Sequence, residues 1–208
     1  MAILRSSDDL KFLDILDFPK IDIKDNLFTF ITGKSGSGKS TYLKLLNRTA
    51  LPSAGEIFYK DKNIKEYPVL EYRKEVMMIP QEVFLIEGTI YDNFKFFYEA
   101  REDEVISKDE INKFLELSCL DYDADKKVDN LSGGERQRVF VSIFLSFKSP
   151  VLLLDEPTAA LDEKTSNKLL SNLKKYFKEN NVTAICVCHN DVLVEKFSDY
   201  TIRLGAEK

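Results

Sequence analysis

A stretch of eight residues near the amino terminus combines glycine, lysine and serine at a spacing suited to holding phosphate. Residues 33–40 read GKSGSGKS and fit the pattern G-x-x-x-x-G-K-[ST]. Glycines let the backbone curl so that successive N–H groups point at phosphate oxygens, and a following helix presents its positive amino terminus to the same oxygens. The Lys39 ammonium would add a full charge at the β- and γ-phosphates, and the Ser40 hydroxyl would coordinate Mg²⁺. The sequence therefore predicts a nucleotide-phosphate site formed by Gly33, Lys34, Ser35, Gly36, Ser37, Gly38, Lys39, Ser40 and Thr41.

Two adjacent acids follow an uninterrupted apolar run in the second half of the chain. Residues 151–157 read VLLLDEP, so a predicted strand ends directly at Asp155 and Glu156. The carboxyl ends of parallel strands face the ligand crevice of an α/β sheet, which predicts that Asp155 holds Mg²⁺ directly or through water. Glu156 would then polarise the attacking water as a general base, an effect worth roughly 10²–10⁴ in rate. The alternative is a pair of helix-capping acids before Pro157, because proline is favoured in a first helical turn.

The composition is that of a chain able to bury a sizeable core. The sequence has 208 residues, 44% of them hydrophobic, and a net charge of -5 without a basic tail, so we expect one compact domain and no direct contact with nucleic acid. The three cysteines show no disulfide-like spacing, which indicates a reducing compartment. No basic region precedes an apolar stretch at the amino terminus, and the apolar run at residues 139–147 is too short to cross a bilayer. These features predict a soluble, cytoplasmic chain that needs a partner for any role at a membrane.

The positions of the motifs fit an alternation of short apolar segments with helical segments. Near-continuous apolar strands in such an alternation predict an α/β fold, with a mainly parallel sheet covered by helices on both faces and a small β region at the amino terminus. Residues from about 82 to 148 interrupt the alternation and are interpreted as an inserted helical subdomain, so that residues 1–81 and 149–208 form the catalytic core. Strands are predicted at residues 27–32, 56–59, 76–80, 151–154, 182–187 and 200–204, and helices at 40–47, 136–147 and 165–177.

A pair of glycines stands just before the predicted helix 136–147. Residues 131–135 read LSGGE, which resembles the signature of ATP-binding cassette (ABC) ATPases. The other family motifs occur in the expected order, namely the phosphate loop, Gln81 after the strand VMMIP, the signature, VLLLDE, AALD at residues 159–162, and His189. The resemblance extends over nearly the whole chain. It implies the fold of a P-loop ATPase and the hydrolysis of ATP with Mg²⁺.

The same resemblance assigns roles to residues outside the phosphate loop. Gln81 would ligate Mg²⁺ or its water and sense a partner protein, and His189 would contact the γ-phosphate and help to arrange the attacking water. Ser132, Gly133 and Gly134 would form a second anion site at a helix amino terminus. In the family fold this site lies too far from the phosphate loop of the same chain for both to contact one nucleotide. Two ABC subunits therefore meet head to tail, with a homodimer as the expected assembly, and each signature caps ATP bound by the other subunit.

Recognition of adenine departs from the family pattern. Many cassettes carry an aromatic residue upstream of the phosphate loop that stacks on the base, and by spacing it would lie near residues 3–7, none of which is aromatic. Arg5 could stack through its guanidinium plane instead. Phe12 is aromatic but close to the loop in sequence.

The resemblance also implies a separate membrane permease, with the chain peripheral to the inner face of the membrane. A permease normally docks a short helix beside the Gln81 loop, and residues 83–86 (VFLI) and 94–98 (FKFFY) offer apolar side chains there. The alternative is that these side chains pack within the helical subdomain. Residues 84–93 (FLIEGTIYDN) resemble the equivalent region of export-type cassettes and favour efflux.

Two other classes stay open at this point. A non-transport cassette acting in DNA repair or translation would usually carry a long coiled-coil insertion or two cassettes in one chain, and neither is evident in this sequence. A phosphate-loop kinase acting on a small molecule would leave the LSGGE motif and His189 unexplained.

Overall fold

A computed structural model describes residues 2–13 and 15–205. The chain divides into two compact units: the first comprises Met1–Ile79, Ser149–Glu156 and Tyr176–Lys208, and the second comprises Pro80–Lys148 and Pro157–Lys175. Most of the second unit is the segment interpreted above as a helical subdomain, and residues 157–175 belong to it as well. Among the described residues, no helix combines the length and the apolar character needed to span a membrane.

The strands of the first unit are short, and the predicted ones lie within one residue of the expected bounds at each end. In chain order, the strands in the described residues are β1 (Ala2–Ser6), β2 (Lys11–Phe12), β3 (Leu16–Asp17), β4 (Asp22–Lys24), β5 (Phe28–Thr32), β6 (Ile57–Tyr59), β7 (Lys62–Asn63), β8 (Val76–Ile79), β9 (Val151–Asp155), β10 (Thr183–Val187) and β11 (Tyr200–Arg203).

A parallel sheet in the order β11-β5-β10-β9-β8 forms the centre of the first unit, which confirms the predicted α/β class. Every residue of β5, β9 and β10 is buried, as expected for a parallel sheet with both faces covered. The register pairs Cys186 with Phe30 on one side and with Leu154 on the other. The carboxyl ends of these three strands therefore lie side by side at one edge of the sheet.

Two antiparallel elements make up the β region near the amino terminus. One is a sheet in the order β4-β1-β6-β7, whose fully buried Leu4 and Ile23 join the core of the first unit. The other is the hairpin β2-β3, in which Phe12 pairs with Leu16. The polar residues and short lengths of these strands give little periodicity to a sequence-based prediction.

Several helices begin at a side-chain cap, and α1 begins after a glycine turn. In chain order they are α1 (Lys39–Leu46), α2 (Val69–Glu75), α3 (Ile90–Glu99), α4 (Lys108–Leu117), α5 (Gly133–Ser146), α6 (Glu163–Glu179) and α7 (Asp191–Phe197), and 3₁₀ turns occur at Ile64–Glu66 and Val128–Asn130.

The second unit is helical and has its own core. Helices α3, α4 and α5 each start after a hydroxyl residue whose side chain accepts a hydrogen bond from the third helical residue. Helix α5 begins at Gly133, so the prediction that it begins at residue 136 was wrong. The cap at Ser132 compensates for the weak helix propensity of the two glycines in the first turn. The core of this unit includes Ile90, Phe94, Ile111, Leu115, Val139 and Ile143.

Candidate functional site

The phosphate loop lies between the buried strand β5 and helix α1, as its motif requires. Gly36 and Gly38 have φ values of 79° and 86°, a left-handed conformation that glycine adopts at little cost. A Cβ on Gly38 would lie 2.8 Å from Cδ1 of Leu16, so the loop needs glycine there for space as well. The loop thereby directs its backbone toward the amino terminus of α1, where N–H groups are available to an anion.

Lys39 is the first residue of α1 and is only 5% exposed. Its Nζ donates hydrogen bonds to the carbonyl oxygens of Gly33 (2.9 Å) and Lys34 (3.0 Å), which fold the side chain back over the loop. Burial lowers the pKa of the Lys39 ammonium, and the nearby carboxylates of Glu156 and Asp155 partly offset this effect. The ammonium group is therefore placed along the concave face of the loop, where it can meet phosphate oxygens.

Ser40 and Asp155 bring two side-chain oxygen atoms together at the end of β9. The Ser40 Oγ donates a hydrogen bond to Oδ1 of Asp155 at 2.9 Å, although the two residues are 115 positions apart. Asp155 is 5% exposed, and its burial raises the pKa of the carboxyl group, while the hydrogen bond from Ser40 opposes the rise. A buried carboxylate next to a hydroxyl fits a hard divalent cation such as Mg²⁺, which takes one or two protein oxygens and completes its shell with phosphate and water. The described residues contain no group of three or more His, Cys, Asp or Glu that could hold a metal ion.

Glu156 and His189 meet beside this pair. The imidazole Nε2 of His189 lies 2.9 Å from Oε1 of Glu156, with the two side chains 47% and 22% exposed. The Glu156 backbone has a φ of 52°, a left-handed conformation costing about 1–2 kcal/mol for a residue with a Cβ. Its N–H donates to the carbonyl oxygen of Val187 at 3.2 Å, which ties the end of β9 to the end of β10. Such strain is typical of functional sites, where the surrounding structure enforces it.

The structure contradicts the alternative reading of Asp155 and Glu156 as helix-capping acids. Asp155 is the last residue of β9, and a turn follows Glu156 rather than a helix. The next helix, α6, begins only at Glu163, where the Asp162 carboxylate accepts a hydrogen bond from the Thr165 N–H at 2.9 Å. The two acids are therefore available for chemistry at the edge of the sheet.

A cleft of about 230 Å³ in the first unit contains eight of the sixteen predicted site residues. It also contains Leu16 of the β2-β3 hairpin, which the sequence analysis missed because a two-residue strand has no periodic pattern. Arg5 is engaged elsewhere, since its Nη2 lies 3.0 Å from Oδ1 of Asp61 and its guanidinium packs over the Phe58 ring at 5.3 Å. The structure therefore does not support Arg5 as the residue that stacks on the base. The cleft is lined by Leu16, Ser35, Gly36, Gly38, Lys39, Ser40, Thr41, Glu156 and His189.

The signature residues belong to the second unit, at the exposed amino terminus of α5. Ser132 and Gly133 are exposed, and a Cβ added to Gly133 would meet no atom of the described residues within 4 Å. A Cβ on Gly134, in contrast, would lie 2.9 Å from the carbonyl oxygen of Ala160. Packing within the chain thus explains the glycine at 134 but not the glycine at 133. Gln81, which follows β8, also belongs to the second unit and is exposed.

Gln137 is a second residue that the sequence analysis missed. It is buried on α5, and its Oε1 accepts a hydrogen bond from the Ala160 N–H at 3.2 Å. This bond joins the helix behind the signature to the AALD segment at residues 159–162, which both lie in the second unit. No motif in the sequence pointed to this side chain.

A glycine loop with a buried lysine, a serine–aspartate pair and a strained glutamate at neighbouring strand ends define a P-loop nucleoside triphosphatase. A profile of the family described as "ABC transporter" matches residues 16–159. The chain belongs to this family and is an ABC ATPase.

Curated relatives of the chain include transport ATPases of both directions. It is 36% identical over 186 residues to ABC transporter I family member 17 of Arabidopsis thaliana, covering 89% of this chain and 70% of the relative. It is 35% identical to the spermidine/putrescine import ATP-binding protein PotA of Spiroplasma citri, covering 88% of this chain and only 52% of PotA. It is 34% identical to the probable iron export ATP-binding protein FetA of Escherichia coli, covering 88% of this chain and 80% of FetA.

Solved structures agree with this assignment. The dimeric bacterial ABC transporter cassette MJ0796 has a TM-score of 0.83 and 26% identity, with 97% of this chain and 94% of MJ0796 covered. A dimeric post-hydrolysis state of the same cassette, bound to ADP and Pi, has a TM-score of 0.83 and 27% identity, with the same coverage.

Proposed function

We propose that the chain is the ATP-hydrolysing subunit of an ABC transporter that works as a head-to-tail homodimer with a separate membrane permease. The observation that carries the hydrolytic part is the 2.9 Å contact between Glu156 and His189 in the cleft that also contains Lys39 and Ser40. It puts a carboxylate base, an imidazole and a phosphate site within one cleft. The fold alone would not distinguish hydrolysis from nucleotide binding.

In the proposed reaction the loop residues Gly33, Lys34, Ser35, Gly36, Ser37, Gly38 and Thr41 surround the phosphates, and Lys39 donates to the β- and γ-phosphate oxygens. Ser40 and Asp155 hold Mg²⁺, which supplies charge neutralisation on the phosphates when bound. The carboxylate of Glu156 accepts a proton from the attacking water, while His189 orients that water and the γ-phosphate. For Gln81 we propose the role given by the family resemblance, at Mg²⁺ and toward the partner protein.

The proposal of a dimer is supported by the different surroundings of Gly133 and Gly134. Gly133 has open space around it, so the missing side chain serves the approach of a group from outside the chain. The exposed α5 amino terminus with Ser132, Gly133 and Gly134 is suited to bind a phosphate oxygen through N–H and O–H groups. We propose that this group is the γ-phosphate of ATP held by a second copy of the chain. The similar cassette MJ0796 is dimeric in both structures described above, which supports a dimer.

Two substitutions test the ATPase and the dimer together. Lys39→Ala should weaken ATP binding, because it removes the buried cation of the loop. Glu156→Gln should preserve ATP binding, reduce turnover at least 10²-fold, and trap an ATP-dependent dimer measurable by analytical ultracentrifugation. Turnover of the Glu156→Gln chain at the parental rate would refute the assignment of the base.

Docking of a permease is proposed at an aromatic patch of the second unit formed by Phe84, Phe96 and Phe97. Phe84 and Phe96 are 54% and 39% exposed, and their ring centroids are 5.9 Å apart. Phe94 and Tyr98 of the same helix are buried in the core and Phe97 packs against it, so packing within the subdomain is observed for these three side chains, and docking is proposed chiefly at the exposed rings of Phe84 and Phe96. Exposed aromatic rings of this kind suit an amphipathic helix laid into a groove.

The matched pair Phe96→Asp and Phe94→Asp tests the patch. Phe96→Asp should leave the thermal unfolding midpoint within a few degrees and abolish copurification of a permease from detergent-solubilised membranes. Phe94→Asp should unfold the second unit, because it buries a charge in an apolar core. Retention of the permease by a folded Phe96→Asp chain would exclude the patch as the docking site.

For the direction of transport we propose efflux, with the chain at the inner face of the membrane. The support is the likeness of residues 84–93 to export-type cassettes and the similarity to FetA over 80% of its length. ATP-dependent accumulation of Fe²⁺ in inside-out vesicles that contain the chain and its copurified permease would support export of that metal. The non-transport alternative has no support in the relatives described here, all of which bear the names of transport ATPases.

A further inference from the structure

A closed hydrogen-bond network surrounds the serine of the signature. The Glu135 Oε2 accepts hydrogen bonds from both the N–H and the Oγ of Ser132, each at 2.7 Å, and the Glu135 N–H donates to the Ser132 Oγ at 3.4 Å. The other carboxylate oxygen, Oε1, accepts a hydrogen bond from the Tyr122 hydroxyl at 2.6 Å. The hydroxyl proton of Ser132 is thus already donated to a carboxylate that a third side chain holds in place.

The Glu135 carboxylate is ionised at any physiological pH. The hydrogen bond from Tyr122, followed by those from Ser132, lowers the pKa of this carboxyl group to about 2. The Arg138 guanidinium also attracts the Glu135 carboxylate electrostatically. Its hydrogen bonds, however, go to the carbonyl oxygens of Gly134 (3.3 Å) and Cys119 (3.2 Å). A full negative charge therefore stands at the helix end that the proposed function assigns to an anion.

Capping accounts for the contacts of Glu135 with Ser132, because helix α3 has the same box, in which the Asp92 Oδ2 accepts hydrogen bonds from the Thr89 N–H (2.8 Å) and the Thr89 Oγ1 (2.7 Å). Helix α4 begins with the same Ser-x-x-Glu sequence, and the Glu110 N–H donates to the Ser107 Oγ at 3.3 Å. There the carboxylate is looser, with its Oε2 at 3.4 Å from the Ser107 Oγ. The short contacts occur at both α3 and α5. At α5 the Tyr122 hydroxyl also holds the carboxylate, and the first helical residue is a glycine with open space around it.

A phosphate oxygen and the Glu135 carboxylate compete for the same hydroxyl. The Ser132 Oγ carries a single proton, so it can donate to one of the two acceptors at a time. If the phosphate oxygen also contacts the Ser132 region at hydrogen-bond distance, the two negative groups lie about 5 Å apart. Coulomb's law at that distance gives a repulsion that remains appreciable in a partly desolvated interface.

We propose that Glu135 is a positioning residue that holds the Ser132 hydroxyl away from the γ-phosphate and so weakens the ATP-bound pair of chains. The proposal rests on the proposed head-to-tail dimer and adds a contact that favours separation of the two chains. The network favours the separated state, and closure on ATP requires the hydroxyl to change its acceptor. Tyr122 sets how firmly the carboxylate keeps its position.

The test compares Glu135→Gln with Glu110→Gln, each in the Glu156→Gln chain. Glutamine can keep the cap at either helix through its one amide oxygen, and at residue 135 its NH2 group would face the Tyr122 hydroxyl oxygen as a donor; each substitution removes one negative charge. We measure the dimer dissociation constant in ATP by analytical ultracentrifugation. Glu135→Gln should tighten the dimer about tenfold, whereas Glu110→Gln should leave it unchanged. An equal or weaker dimer in Glu135→Gln than in Glu110→Gln overturns the proposal.

Two further measurements separate an electrostatic effect of Glu135 on the dimer from a structural effect. Raising the ionic strength should shrink the difference between Glu135→Gln and its parent, because screening weakens the repulsion; a difference unchanged by salt contradicts the electrostatic account. Glu135→Gln should lower the thermal unfolding midpoint slightly, because the lowered pKa of the Glu135 carboxyl means that its ionised form stabilises the fold; a tighter dimer of a less stable chain excludes a purely structural cause. Failure of the parent Glu156→Gln chain to dimerise in ATP would instead refute the proposed function, so the two failures are distinguishable.

Discussion

The His189 imidazole contacts the Glu156 carboxylate at 2.9 Å, at the point where β9 and β10 end together. The strained backbone of Glu156 turns its side chain toward the phosphate loop cleft instead of continuing the strand. Because His189 is more exposed than Glu156, the imidazole lies on the solvent side of the carboxylate. This order suits a histidine that orients the water and a glutamate that accepts its proton.

His189→Ala should lower kcat about 10²-fold and leave the ATP dissociation constant within about threefold. The imidazole is proposed to act on the attacking water and the γ-phosphate during the reaction, so its loss affects the transition state more than binding. Single-turnover hydrolysis and equilibrium titration of a non-hydrolysable analogue measure the two effects separately. A large rise in the dissociation constant with an unchanged kcat would assign His189 to binding instead.

Asp155→Asn should stabilise the metal-free protein at neutral pH and make ATP binding insensitive to Mg²⁺. Burial raises the pKa of the Asp155 carboxyl in the folded chain above its unfolded value, so the ionised side chain opposes folding at high pH. This penalty is present above the folded pKa and vanishes as the pH falls below the unfolded value.

The measurement for Asp155→Asn is the thermal unfolding midpoint between pH 4 and pH 8 without metal. The difference between Asp155→Asn and its parent should grow as the pH rises through the folded pKa. Asp61→Asn, at a half-exposed carboxylate, is the control for the loss of one surface negative charge. A difference that is constant with pH would mean that the Asp155 carboxylate carries no burial penalty.

Gly133→Ala should lose the ATP-dependent dimer, whereas Gly134→Ala should lose stability. Alanine at 133 meets no atom of the described chain and favours the helix, so the free energy of unfolding should rise by up to about 1 kcal/mol. Its methyl group should nonetheless abolish the ATP-dependent dimer in the Glu156→Gln chain. Alanine at 134 meets the Ala160 carbonyl oxygen at 2.9 Å and should lower the free energy of unfolding by about 1–3 kcal/mol.

Urea unfolding and analytical ultracentrifugation check both glycine substitutions. An ATP-dependent dimer of parental strength in Gly133→Ala would remove the main support for a γ-phosphate at this helix end. Parental stability in Gly134→Ala would instead show that the segment near Ala160 can shift to admit a methyl group.

Residues that sit in long apolar patterns or in dense motifs were predictable from the sequence. The strands around the phosphate loop and before Asp155 were found within one residue, because buried parallel strands are continuous in apolar residues. The Ser40–Asp155 contact follows from the same logic, since the ends of parallel strands share one edge of the sheet. The phosphate-loop motif and the order of the parallel strands together predict the contact between Ser40 and Asp155.

Contacts made by short or irregular segments were not predictable. Tyr122 lies between α4 and a 3₁₀ turn, and no periodicity links it to Glu135. The two-residue strand that carries Leu16 and the seven-residue helices α2 and α7 are likewise below the length at which a pattern becomes distinct. The contact of Arg5 with Asp61 was likewise not predictable, because Asp61 follows β6, far from Arg5 in sequence.

Substitutions of Leu16 and Arg5 should differ in their effect on ATP binding. Leu16 lines the cleft of the phosphate loop, so its side chain is placed to contact the base or sugar of the nucleotide. Leu16→Ala should weaken ATP binding about fivefold, equivalent to about 1 kcal/mol of apolar contact. Arg5→Ala should leave ATP binding unchanged, because the guanidinium is held by Asp61 and Phe58.

Inorganic tripolyphosphate separates base recognition from damage to the loop. It presents phosphates without a base, so Leu16→Ala should bind it as well as the parent does, although Leu16 lies close to Gly38. The measurement is isothermal titration with ATP and with tripolyphosphate for both variants. Equal weakening for the two ligands would place the effect of Leu16 in the shape of the loop, and weakened ATP binding in Arg5→Ala would restore arginine as the base contact.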